Sequence, residues 1–123
     1  MEEIIRYSGC FVCGTENPIG LKLRFWWDGS QAITEVAADK LFEGYRGIYH
    51  GGIIATVLDE IMVKAILATG KVAVTAEMTV RYHRPVRIGD TLSFRGRITK
   101  EKGPIVYAEA EAVDSEGNAY ATA

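Results

Sequence analysis

The feature that most limits the fold of this chain is one long apolar segment, which runs from Gly51 to Thr69. It is too long for a strand, and its apolar residues fall on nearly every side of a helix. Gly70 follows it, and glycine commonly terminates helices. The segment therefore predicts a helix that is buried on most of its faces.

Two adjacent carboxylates interrupt this apolar helix. Glu60 precedes Lys64 by four residues, the order that favours an ion pair, so we interpret it as part of a narrow solvated stripe. Asp59 points about 100° away from Glu60 and has no charged partner one turn along the helix. Asp59 therefore either reaches solvent beside Glu60 or faces a cavity, where a carboxylate suits a general base or a nucleophile.

The residues His50, Gly51 and Gly52 stand at the start of the helix. The first N–H groups of a helix are unpaired and lie at its positive end, where they can stabilise an oxyanion. Without a Cβ atom, the two glycines let a ligand approach closely, although a close-packed helix start explains them equally well. His50 alone is interpreted as a structural hydrogen-bonding residue.

The separation of these groups favours a site between two chains. Gly51 and Asp59 are eight residues apart, which is about 12 Å along a helix. One small substrate cannot contact both groups of a single helix. Two antiparallel helices in a homodimer would bring Gly51 of one chain close to Asp59 of the other.

Alternating apolar and polar residues predict strands on both sides of the helix. The segments are LKLRFWWD, QAITEVA, VAVTAEMTVRYHRPV, GDTLSFRGRIT, IVYAEAEAVD and AYATA. The predicted order is ββαββββ, an α+β domain over residues 1–123 with one helix against five or six antiparallel strands. Alanines on one strand face indicate that the helix approaches closely. Exposure of Trp26 and Tyr82 would favour a homodimer, alone or as a dimer of dimers.

The overall composition limits the class of protein. The 123 residues carry 48% hydrophobic and 24% charged residues with a net charge of −2, which fits one globular domain and argues against a nucleic-acid surface. The start, MEEIIRYSG, does not resemble a signal peptide, and charges interrupt the longest apolar run. We therefore expect no membrane span and a cytoplasmic location.

Cys10 and Cys13 form the only C-x-x-C pair. Such a pair can be half of a zinc site, a redox pair or two thiols near a turn. Zinc requires about four ligands, and the chain has no second Cys/His pair. The pair also lacks the βαβ context of a thioredoxin-like site. The sequence favours two thiols near a turn and no metal, with zinc shared across a dimer interface as the alternative.

Several segments together resemble the hotdog-fold acyl-CoA thioesterases of the phenylacetate-pathway-like and thioesterase-superfamily-member branch. They are HGGIIATVLDEIM, CFVCGTENPIGLKLRF, FEGYRGIYHGG and VTAEMTVRYHRPV. The resemblance implies a hotdog fold, in which the sheet wraps around the long central helix.

The resemblance also implies roles for single residues. It implies that Asp59 activates water or attacks the thioester carbonyl, and that the N–H of Gly51 from the other subunit binds the carbonyl oxygen. His50 would frame this turn, and Thr75 would lie near the attacking water. Relatives carry asparagine in the preceding loop, where this chain has Gly44.

The resemblance also implies the substrate and the reaction. The substrate would be an acyl-CoA, cleaved to a free acid and coenzyme A without a metal or redox cofactor. Candidate substrate-binding residues are Gly52, Glu60, Arg81 and Arg84. On charge grounds the arginines are candidate contacts to the CoA phosphates. A solvated strand end explains them equally well and is the favoured interpretation for Arg87. The alternative is a non-catalytic hotdog module that binds acyl-CoA as a sensor or effector, which would not need Asp59. A dehydratase ranks third, because its Asp/His pairing is not seen.

Overall fold

A computed structural model describes residues 1–123 and shows one helix packed against a seven-stranded antiparallel sheet. Helix α1 spans Gly51–Leu67. The strands are β1 Glu2–Glu3, β2 Trp26–Trp27, β3 Ala32–Ala37, β4 Arg81–Tyr82, β5 Thr91–Lys102, β6 Ile105–Val113 and β7 Ala119–Thr122. Their order in the sheet is β1-β2-β3-β5-β6-β7-β4. This arrangement confirms the predicted α+β class. No helix has the length and apolar character that crossing a membrane requires.

The sheet contains more strands than the five or six predicted, because Glu2–Glu3 pairs with β2 at one edge. The predicted strand over residues 21–28 is wrong in its extent, since only Trp26–Trp27 joins the ladder. The N–H groups of Leu21 and Leu23 instead donate to the carbonyls of Phe11 and Val12, at 2.9 Å each. The alternation correctly predicts one buried face, but the backbone of this segment forms its hydrogen bonds with a loop and not with a strand.

The long strand predicted around residues 72–86 is also wrong in its extent. Only Arg81–Tyr82 forms a strand, which pairs with β7. The segment before it has no partner strand within the chain, and Val72 and Val74 are 83% and 90% exposed. β-rich composition marks residues that suit a strand, but a ladder also needs a second backbone beside it.

The predicted helix is confirmed, and it ends two residues earlier than expected. His50 is its N-cap and Ala68 its C-cap. Gly70 lies beyond the end with φ +90°, the left-handed region that glycine adopts easily. Its N–H donates to the carbonyl of Leu67 at 2.9 Å. The glycine therefore ends the turn that follows the helix.

A row of small residues lets the helix approach the sheet. Gly96 of β5 lies in register between Ala32 of β3 and Ala110 of β6, and all three are buried. A Cβ atom at Gly96 would lie 2.9 Å from the carbonyl oxygen of Ile61. The close approach expected from the alanines is confirmed. The packing fixes the height of α1 above the sheet, and with it the positions of both helix carboxylates.

Candidate active site

The loop before α1 is held by backbone hydrogen bonds that fix where the helix begins. The N–H of His50 donates to the carbonyl of Phe42 at 2.8 Å, and the N–H of Tyr49 donates to the carbonyl of Val86 at 2.7 Å. The Glu43 carboxylate accepts from the N–H of Gly47 within the same loop. Tyr49 is buried, which raises the pKa of its hydroxyl to about 12. These contacts therefore fix the position of the first residues of the helix.

His50 caps the helix through its ring. Its Nδ1 accepts a hydrogen bond from the N–H of Gly52 at 2.8 Å, so the neutral ring carries its proton on Nε2. A Cβ atom at Gly52 would lie 3.0 Å from Cε1 and Nδ1 of His50. Glycine at this position makes room for the capping ring. The N–H of Gly52 is thereby occupied, which leaves the oxyanion role expected at the helix start to another residue.

The N–H of Gly51 is the free donor at the helix start. The N–H groups of Ile53 and Ile54 both donate to the carbonyl of His50, at 3.0 and 3.3 Å, and that of Gly52 donates to the His50 ring. Gly51 alone among the first four residues has no hydrogen-bond acceptor for its N–H within the chain. One unpaired donor at the positive end of a long helix is suited to binding a carbonyl oxygen that gains negative charge.

Tyr82 lies beside this helix start and was not among the predicted site residues. Its hydroxyl donates to the carbonyl of Gly51 at 2.7 Å, and its Cε1 would lie 3.4 Å from a Cβ atom at Gly51. The side chain is about half exposed. Tyr82 is 31 residues away from Gly51 in the sequence, so no local pattern could have linked the two.

Asp59 and Thr75 are brought together on the exposed side of the helix. The Thr75 hydroxyl donates to Oδ1 of Asp59. Asp59 is half-buried, and no lysine or arginine of the chain forms an ion pair with it. Its carboxylate is therefore oriented by a neutral donor, and Oδ2 remains available to accept a proton.

An apolar groove of about 430 Å³ opens next to this pair, and Thr75 forms part of its wall. The apolar lining includes Met62, Ile66, Val74, Ile105 and Tyr107. Ligand sites typically combine such an apolar lining with a few polar groups. The Asp59 carboxylate thus lies at the edge of a cleft that suits an acyl chain.

Glu60 faces a different part of the molecule from Asp59. Its Oε2 lies 3.8 Å from Nζ of Lys64 and 3.6 Å from Sγ of Cys10. The expected ion pair is confirmed, but the solvated stripe is wrong, because the Lys64 side chain is only 2% exposed. Lys64 reaches under the N-terminal segment and donates to the carbonyl of Ile5. The structure does not group Glu60 with the Asp59–Thr75 pair.

The predicted phosphate-binding arginines lie on the surface. Arg81 and Arg84 are exposed and form no ion pair within the chain. The Arg84 guanidinium lies 5.1 Å from the Tyr120 ring centroid. Both side chains are therefore free to meet an anion. Gly44 lies beside the helix start: a Cβ atom there would be 3.4 Å from Cα of His50.

We expect His50→Asn to keep the stability of the protein and the acyl-CoA hydrolysis that the resemblance implies, because asparagine also caps helices well. His50→Ala should lower the free energy of unfolding by about 1 kcal/mol through loss of the cap. Thermal unfolding and thiol release from an acyl-CoA measure the two effects. A loss of activity in His50→Asn at unchanged stability would contradict a purely structural role for this residue.

Comparison with known proteins identifies the family of this chain from its sequence. Residues 46–121, more than half of the chain, match the thioesterase superfamily. Mouse acyl-coenzyme A thioesterase 13 is 27% identical over 81 residues, which cover 64% of this chain and 58% of that protein. The chain thus spans less than two thirds of the length of this curated relative.

Solved structures show the same fold. A crystal structure of a thioesterase superfamily protein superimposes with a TM-score of 0.86 at 23% identity, covering 94% of this chain and 57% of that one. A Streptococcus mutans protein, solved with acetyl CoA bound, superimposes with a TM-score of 0.74 at 24% identity and covers 80% and 82% of the two chains. These similarities confirm the hotdog fold.

Proposed function

The chain belongs to the thioesterase superfamily, and we propose that it hydrolyses acyl-CoA thioesters to a free acid and coenzyme A. The observation that carries this proposal is the Asp59 carboxylate, oriented by Thr75 at the edge of an apolar groove. The same helix offers one unpaired N–H at Gly51. A relative named for acyl-coenzyme A hydrolysis and a neighbour solved with acetyl CoA support the substrate class.

In the proposed reaction, the Gly51 N–H binds the thioester carbonyl oxygen and stabilises the negative charge that develops on it. Asp59 removes a proton from water, and the resulting hydroxide attacks the carbonyl carbon. The carbon–sulfur bond then breaks, and the CoA sulfur leaves as a thiolate that takes up a proton. Thr75 holds the carboxylate in a fixed orientation. Direct attack by Asp59 on the carbonyl is the covalent variant of this reaction.

The proposed site requires two copies of the chain. Gly51 and Asp59 lie about 12 Å apart along one helix, which is too far for both to contact one thioester. Val72 and Val74 belong to an exposed segment without a partner strand. Exposed apolar surface of this kind is typical of a protein interface. We propose a homodimer, alone or as a dimer of dimers, in which Gly51 of one chain faces Asp59 of the other.

The two other candidate functions are less well supported. A non-catalytic sensor of acyl-CoA has no use for a carboxylate that is held at the groove by Thr75. A dehydratase would pair an aspartate with a histidine. Within the chain, the His50 ring accepts from Gly52 and the His83 ring contacts Thr122, so neither ring contacts Asp59.

Thiol release from a panel of acyl-CoAs tests this function. We expect turnover by the purified chain, with higher kcat/KM for acyl chains long enough to fill the apolar groove than for acetyl-CoA, because burial of each methylene contributes about 0.8 kcal/mol. Equilibrium binding is measured on the same panel. Tight binding of acyl-CoAs without thiol release would favour the sensor, and neither binding nor release would contradict both functions.

A further inference from the structure

A second cluster of reactive side chains lies at Glu60, away from the proposed hydrolytic site. The Sγ atoms of Cys10 and Cys13 and a carboxylate oxygen of Glu60 all lie within 4.8 Å of one another. Cys10 donates to Oε2 of Glu60 at 3.6 Å. Cys10 is partly exposed, whereas Cys13 is fully buried. The proposed hydrolysis uses none of these three groups.

The turn between the two cysteines holds them on one side of the backbone. The N–H of Cys13 donates to Sγ of Cys10 at 3.4 Å, and the N–H of Gly14 donates to the carbonyl of Cys10 at 2.8 Å. A Cβ atom at Gly14 would lie 2.3 Å from the carbonyl oxygen of Ser8, so glycine is required there. This tight turn brings the two Sγ atoms within 4.8 Å of each other, so a short movement of the side chains would suffice to join them.

A buried ammonium completes the cluster. Lys64 is 2% exposed, lies 3.8 Å from Oε2 of Glu60 and donates to the carbonyl of Ile5. Burial raises the pKa of the Cys13 thiol, while Lys64 acts in the opposite direction. The Glu60 charge is therefore already balanced without a metal. A divalent cation would lie beside a fixed positive charge and find three protein ligands where zinc usually has four.

We propose that Cys10 and Cys13 form a thiol–disulfide exchange site whose co-reactant is a low-molecular-weight disulfide. Glu60 accepts the Cys10 proton, and the Cys10 thiolate attacks one sulfur of the co-reactant, forming a mixed disulfide and releasing one thiolate. Cys13 then loses its proton and attacks Sγ of Cys10, which releases the second thiolate. Two protein thiols are oxidised to one disulfide, the co-reactant is reduced to two thiols, and the two protons end on these thiols.

Oxidised glutathione is the probe for this exchange. After incubation of the full chain, the sample is denatured in the presence of N-ethylmaleimide, so that the buried Cys13 also reacts if it is free, and intact mass spectrometry counts the free thiols. We expect two alkylated cysteines before oxidation, none afterwards, no retained glutathione, and full recovery with dithiothreitol. If both thiols remain alkylatable in a large excess of oxidised glutathione, or if the disulfide joins two chains, the proposal is wrong.

Two cysteine variants test the order of attack. Cys13→Ser should retain one glutathione per chain, because the mixed disulfide at Cys10 has no second thiol to resolve it. Cys10→Ser should retain none, because Cys13 is buried. Circular dichroism checks that each variant is folded. If Cys13→Ser does not fold, rapid quenching of the wild type should capture the same mixed disulfide, and its absence at all times would contradict the proposed sequence of steps.

The role of Glu60 and the absence of a metal are tested separately. Glu60→Gln should slow formation of the mixed disulfide by roughly tenfold or more, because the base is lost. Glu16→Gln changes an exposed carboxylate in the segment that carries the two cysteines, and it should leave the rate unchanged. Equal rates in all three proteins would remove Glu60 from the exchange. One zinc ion per chain in elemental analysis of the purified protein would overturn the proposal in favour of a metal site.

Discussion

Asp59→Asn is expected to lower kcat/KM for acyl-CoA hydrolysis by about 10³-fold and to leave the fold intact. Asparagine has the size of aspartate, and its Oδ1 can still accept the hydrogen bond that Thr75 donates. The amide cannot take a proton from water, so the chemical step is lost while the packing is kept. Initial rates of thiol release and the thermal unfolding midpoint measure the two properties.

Two further variants make this result specific. Thr75→Val keeps the carboxylate but removes the hydroxyl that orients it, so we expect a smaller loss of about tenfold. Glu35→Gln neutralises an exposed carboxylate on β3 and should leave the rate unchanged. Equal rates for Asp59→Asn and the wild type would exclude Asp59 as base and as nucleophile.

The second large effect is expected from Gly51→Pro, which removes the one unpaired N–H at the helix start. Loss of a single oxyanion donor typically costs about 10²–10³-fold in kcat. Proline is well tolerated as the first residue of a helix. His50 has φ −64° and ψ 127°, an extended conformation that suits the residue before proline. We therefore expect a folded protein with kcat lowered by about 10²-fold.

Gly51→Ala is the matched control, because it adds a Cβ atom and retains the N–H. That Cβ atom would lie 3.4 Å from the nearest Tyr82 ring carbon, an ordinary contact. We expect Gly51→Ala to keep most of the activity. An equal loss in both variants would show that crowding, and not the missing donor, lowers the rate.

Mixing the two inactive chains tests whether the site lies between subunits. In a dimer of one Asp59→Asn chain and one Gly51→Pro chain, one of the two sites combines an intact Gly51 with an intact Asp59. Co-expression with random pairing should therefore restore about a quarter of the wild-type activity. Recovery does not occur if each chain forms its site alone, and a chain that stays monomeric would contradict the arrangement directly.

The accuracy of the sequence-based predictions differed between elements for identifiable reasons. The alternation in β5 and β6 predicted their inward faces, because Phe94 and Ala112 are buried against one helix. The same alternation at Leu21 and Leu23 predicted a longer strand than the structure has, since their N–H groups bond to a loop. Periodicity reports which side chains are buried, whereas a ladder depends on which backbone lies alongside.

The solvated stripe at Glu60 failed for a similar reason. The spacing to Lys64 correctly indicated an ion pair, but helix periodicity contains no information about what covers the helix. The N-terminal segment folds over this side, so the ammonium is buried and the carboxylate meets Cys10.

The sequence by itself determined the helix, its two carboxylates and the glycines at its start, because these features depend on spacing along one segment. Only the tertiary structure decided how those groups are used. It joined Thr75 to Asp59 across 16 residues, Tyr82 to Gly51 across 31 and Cys10 to Glu60 across 50. It also assigned the Gly52 N–H to His50 and left that of Gly51 free. Contacts between distant segments are set by how the sheet, the loops and the helix pack together, and no local pattern records that packing.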